Sequence, residues 1–117
     1  MSQKLDWIIR LVVVAALAII GVIPKVTGDP ATVANFTRWG YPDGFYRIVG
    51  LAEVIAAILL LIPRTALIGA VGVVAVMLGA VGTHLKAGEY GFAPIPLVIG
   101  ALAAWAGWQR WRRRPSA

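Results

Sequence analysis

The chain has 117 residues, 60% of them hydrophobic and 14% charged, with a net charge of +6 and no cysteine. An ordinary soluble domain carries about 45–50% apolar and about 25% charged residues, so this composition excludes one and points to a single membrane domain over 1–117. The missing thiols exclude disulfides, thiolate metal sites and dithiol redox chemistry.

The first apolar run, 7–23, is interrupted only by Arg10. Its positive start is like that of a signal peptide. It ends, however, in Ile23-Pro24-Lys25 and not in a small-x-small cleavage site, so it reads as a retained first helix. A long connection follows, 24–44. Within it Asp29 is a good N-cap and Pro30 suits the first helical position. Val33, Phe36 and Trp39 share one face and Gly40 ends the segment, which predicts a short helix on the outer surface or over the bundle mouth.

The second run, 45–62, contains Arg47 and Glu53. The Pro63-Arg64-Thr65 turn leads to the uncharged third run, 66–83, and these two must be antiparallel neighbours because the turn is so short. The fourth run, 93–108, is again uncharged. Each is close to the lower limit of about 17 residues for crossing a bilayer. Continuous rather than alternating apolarity excludes barrel strands. The expected architecture is all-α: an integral membrane four-helix bundle, antiparallel, with a short extra helix in the long first loop.

Four spans place both termini on one side. That side carries Lys4, Arg10, Arg64, Arg110, Arg112, Arg113 and Arg114; the other carries Lys25, Arg38, Arg47 and Lys86. The excess puts both termini in the cytoplasm. The basic tail 109–117, preceded by Trp105 and Trp108, then reads as an interfacial anchor on the lipid bilayer and not as a nucleic-acid contact. Small residues at Gly72, Ala75, Gly79 and Gly82, and at Gly100, Ala103, Ala104 and Gly107, predict close helix packing within the chain or with another copy.

Glu53 is the sharpest chemical signal. An acid inside an apolar run must be paired, protonated or turned to a polar cavity. Gly50, Glu53 and Ala57 share a face, which turns the carboxyl inward. Lys25 and His84, at the outer ends of their helices, are the candidate partners, and Lys25–Glu53 is the expected pair. His84 is the single histidine, so two axial haem ligands are excluded and no metal site is expected. No nucleotide loop or nucleophile triad is present, so no autonomous enzyme is expected.

The pattern Gly21-x-x-Pro24-Lys25-x-x-Gly28, then Phe36, Gly40-Tyr41-Pro42, Gly50-Leu51-Ala52-Glu53 and Met77-x-Gly79-Ala80-x-x-Thr83-His84 resembles the DoxX and DoxX-like family of small four-helix bacterial membrane proteins. The resemblance covers roughly residues 7–105. It implies the bacterial cytoplasmic (inner) membrane and carries attention to Lys25, Glu53 and His84. It further implies a non-catalytic subunit or scaffold of a quinone-linked membrane complex, beside an oxidoreductase partner or in self-association. No resident cofactor is expected, although that setting leaves room for a bound quinone. The other class is a small proton-coupled transporter using Glu53. Four-helix multidrug transporters carry their glutamate in the first helix, however, and here that helix has no acid between Asp6 and Asp29.

Overall fold

The structure, a computed structural model, describes residues 3–112. All regular structure among them is helical. Helix α1 runs Gln3–Thr27, α2 Pro30–Arg38, α3 Phe45–Leu61, α4 Ala66–Lys86 and α5 Pro94–Arg112, with a 3₁₀ turn at Pro63–Thr65 joining α3 to α4. Arg113 and Arg114 of the basic tail lie outside the described residues; Gln109–Arg112, expected in that tail, continue α5.

Helix α1 is longer than its apolar run because it passes through Pro24. A proline ring collides with the carbonyl four residues back and supplies no N–H, which breaks a regular α-helix. Here Leu17–Val22 widen into a π-helical stretch, and the Ile23 N–H reaches the carbonyl of Ala18, five residues back. The wider turn shifts the Ile20 carbonyl away from the ring, so the helix continues to Thr27 and ends on Gly28 in the left-handed region, φ 69°.

The buried face of α1 is Asp6, Arg10, Val13, Leu17 and Gly21, the three-four rhythm of a single helical stripe. Two of its members are charged. Arg10 is 1% exposed; its guanidinium donates to the Leu60 carbonyl at 3.1 Å, lies 3.7 Å from the centre of the Trp7 ring and faces Asp6 at 4.0 Å. This differs from the expectation that Arg10 is simply a charge at the membrane surface. The physical reason is that the last carbonyls of α3 have no partners within their own helix, and a cation is favoured there. Thr65 completes the cap by donating to Leu59 O at 2.8 Å.

Helix α2 forms as its capping residues require. The Asp29 carboxylate accepts from Thr32 N at 3.1 Å, and Pro30 sits at the first position. Phe36 is buried beneath it, ringed by Trp39, Tyr41, Phe45 and Tyr46.

Helix α3 packs on α4 and α4 on α5. Helix α1 joins the two ends, with its first half on α5 and its second half chiefly on α3. The core between them is Val13, Leu17, Leu60, Val73, Met77 and small alanines. The closest approach of backbones is at Gly69, where a Cβ would come within 2.3 Å of Leu60 N. Gly100 lies against Met77 and Gly107 against Ala70. Of the glycines in the stripe expected on α4, one is used. Gly72 meets Ala56, but an added Cβ at Gly79 or Gly82 would find nothing within 4 Å.

Two helical segments, Gln3–Thr27 and Pro63–Lys86, are long and apolar enough to cross a membrane, and most of each faces outward. Helix α3 has 17 residues, and α5 ends in tryptophan, glutamine and arginine residues that lower its apolarity. Ile19, Ile48, Ile68 and Leu78 are each more than half exposed on the outer surface, as side chains would be if apolar surroundings covered them.

Candidate functional site

Lys25 and Glu53 meet at the junction of α1 and α3. Lys25 Nζ stands 2.8 Å from Glu53 Oε1 and also donates to the Gly21 carbonyl at 3.2 Å. Two glycines make this contact possible. A Cβ at Gly21 would lie 1.9 Å from Glu53 Oε2, so only the bare backbone admits the carboxylate. A Cβ at Gly50 would come within 3.0 Å of Lys25 Cβ, so the lysine stem lies along a strip cleared on α3. Glu53 itself is 2% exposed, while the lysine side chain keeps 14%. The Gly21-x-x-x-Lys25 and Gly50-x-x-Glu53 segments thus interlock.

The pair forms one wall of a cavity of about 570 Å³. Leu17, Met77 and Ile99 give it an apolar floor. Thr32, Asn35 and Phe36 of α2, and Trp39 just after it, also line it. Tyr41, Thr83 and His84 line it as well. Ile20 of α1 and Ile95 of α5 also border it, on the side where α1 leaves α5 for α3.

His84 does not pair with Glu53. Its Nδ1 is 2.8 Å from Glu89 Oε1, in the connection between α4 and α5. The same carboxylate accepts from Trp39 Nε1 at 3.2 Å and forms an ion pair with Arg38. One short-loop acid therefore ties the end of α2 to the end of α4. The hydrogen bond with His84, ahead of those from Arg38 and Trp39, holds the Glu89 carboxyl below its ordinary range against the opposing pull of desolvation. Tyr41 Oη and Thr83 Oγ1 add a second tie at 2.6 Å.

Glu89, Tyr41 and Trp39 were not among the site residues expected from sequence. Glu89 had one available signal: it is the single acid in the stretch that follows His84. Of the expected residues, Lys25, Glu53 and His84 all border one cavity, with the first two in direct contact. Among the described residues no group of three or more His, Cys, Asp or Glu side chains could hold a metal ion. Chemically, the cavity offers aromatic and aliphatic surface with a few polar side chains, a lining suited to a small, mostly apolar molecule that carries polar groups.

Comparison with known proteins gives a match to the DoxX-like family over residues 8–106. No curated protein and no solved structure matches the chain. The matched stretch contains Lys25, Glu53, His84 and Glu89, and takes in nearly the whole of the helical assembly. The chain belongs to the DoxX-like family.

Proposed function

We propose that this DoxX-like protein is a multi-pass inner-membrane subunit whose cavity holds a quinone-type ring, serving a quinone-linked redox complex without carrying out the redox chemistry itself. The four long helices form an antiparallel bundle across the bilayer, with both termini in the cytoplasm and the Lys25–Glu53 end outward. The excess of lysine and arginine at the termini and the Pro63–Thr65 turn supports this orientation. A partner oxidoreductase or a second copy would meet α4 near Gly82, where an added Cβ finds nothing within 4 Å.

The observation that carries the reading is the cavity. Its volume of about 570 Å³ lies in the range of small-molecule sites, roughly 300–1,000 Å³. Its lining combines aromatic and aliphatic surface with the polar side chains of Lys25, Glu53, Tyr41, Thr83 and His84, a mixture that suits a quinone-type ring and its oxygens. Ile20 and Ile95 border the cavity and are also exposed on the outer surface, which supports entry of such a molecule from surrounding lipid. The transporter reading asks Glu53 to exchange partners during a cycle. A carboxylate bonded at 2.8 Å to a lysine that is itself tied to the Gly21 carbonyl favours a fixed contact instead.

The test is titration of the purified protein in lipid nanodiscs with a short-chain quinone, following tryptophan fluorescence, since Trp39 borders the cavity. Saturable quenching is expected in the native chain, and its loss in Ala80→Phe, which fills the cavity from α4. Quenching that is linear in quinone and identical in both proteins reports partition into lipid alone and contradicts the reading.

A further inference from the structure

His84 is held by its neighbours with Nδ1 turned to an acceptor. Glu89 Oε1 lies 2.8 Å from His84 Nδ1 and 3.2 Å from the Trp39 N–H, and the other oxygen pairs with Arg38. A carboxylate so surrounded by donors is ionised, and an ionised carboxylate only accepts hydrogen bonds. The shared proton therefore sits on Nδ1. In the neutral form of the ring this leaves the lone pair on Nε2. The ring borders the cavity between the edge of Trp39, with centroids 5.5 Å apart, and Phe92, at 6.0 Å. No hydrogen-bond partner for Nε2 is found among the described residues.

We propose that His84, neutral in the ligand-free protein, and Glu89 form a proton-accepting dyad for the cavity, and that the cavity's ligand, in the hydroxyl-bearing quinol form of that ring, presents to Nε2 an ionisable hydroxyl. The inference rests on the cavity holding a ring ligand and adds what happens to that ligand's proton. The ligand O–H bond breaks, its electron pair stays on the oxygen, and a new N–H bond forms at Nε2. Glu89 stabilises the resulting imidazolium through Nδ1–H, the general role of a carboxylate behind a basic histidine. The imidazolium then returns the proton from Nε2 to water or to the next acceptor, which restores the starting state. The Glu89 side chain is 16% exposed, so the dyad is in touch with the outer aqueous side.

The charged groups around the ring fit this role. Arg38, from α2, is already committed to Glu89. Lys86 lies on the helix that carries His84, two residues beyond it. Across the cavity Lys25 and Glu53 compensate each other. The full negative charge next to His84 is therefore that of Glu89.

Because His84 is the single histidine, ¹⁵N-histidine labelling of the full chain in nanodiscs reports one pair of ring nitrogens. Without ligand, Nδ1 is expected to be protonated and Nε2 bare. On adding 1-naphthol, the Nε2 resonance should shift towards the protonated position and the naphtholate absorption band should appear. Both changes should be lost in Glu89→Ala while naphthol still quenches tryptophan fluorescence; if that variant does not fold, the two native-chain results decide alone. Protonation at Nε2 in the ligand-free protein overturns the dyad. So does saturable naphthol binding with no naphtholate band, which leaves the cavity reading intact. Absence of naphthol binding beside saturable quinone binding overturns the dyad alone, and failure of both ligands overturns the cavity reading with it.

Discussion

Lys25→Met and Glu53→Gln should each lower the thermal stability of the protein in detergent sharply, and the double variant should lose less than the two losses added together. Removing one member of a buried ion pair strands the other and costs about 3–5 kcal/mol. The contact is 2.8 Å long and the glutamate is almost fully enclosed, so the upper part of that range applies to loss of the lysine. Glu53→Gln is the milder change. It keeps the shape beside Gly21, and Lys25 retains its bond to the Gly21 carbonyl. In the double variant neither charge is stranded, and coupling between touching residues makes the losses non-additive. Additive losses in a thermal melt of the three variants would show that the two residues act independently.

Gly69→Ala should be strongly destabilising, and Gly79→Ala one of the least damaging methyl additions to the helical assembly. At Gly69 the new Cβ meets Leu60 N at 2.3 Å, the Leu59 carbonyl carbon at 2.7 Å and Ala56 O at 2.8 Å. All three are backbone atoms of a helix joined to α4 by one 3₁₀ turn, so they cannot swing aside as a side chain would. Overpacking of this kind costs about 1–3 kcal/mol. At Gly79 nothing lies within 4 Å, and replacing a helical glycine by alanine gains up to about 1 kcal/mol of helix propensity. Melting temperatures of the two variants should therefore move in opposite directions. A fall at Gly79 together with a smaller particle in mild detergent would mean that another chain packs on that face. A fall at Gly79 with particle size unchanged would contradict the open space seen there.

These residues show where sequence is readable and where it is not. The short α2 follows from local chemistry, since Asp29, Pro30 and Gly40 act within a few residues of themselves. The Lys25–Glu53 contact is legible because an acid inside an apolar run has few partners. The passage of α1 through Pro24 is not, because it depends on a π-turn that leaves no compositional mark. Arg10 looks like a surface charge until the end of α3 is brought against it, and Glu89 looks like an ordinary loop acid until α2 folds over α4. The small-residue stripe on α4 reads as a packing face, but among its glycines only Gly72 meets another helix, because which residues touch depends on where the helices cross. The cavity is the hardest to foresee, because it consists of space that the surrounding side chains leave unfilled.

Photolabelling tests the central claim most directly. The protein in nanodiscs is irradiated with an azido-quinone, with and without excess unlabelled quinone, and the modified peptides are identified by mass spectrometry. Label on segments that border the cavity, around Lys25, Trp39 to Tyr41 and Thr83 to His84, with suppression by the competitor, is the result expected of a quinone seated between the ion pair and the His84 wall. Label confined to outward-facing positions such as Ile68 and Leu78, or to the Asp6–Arg10 end, and insensitive to competitor, would contradict it.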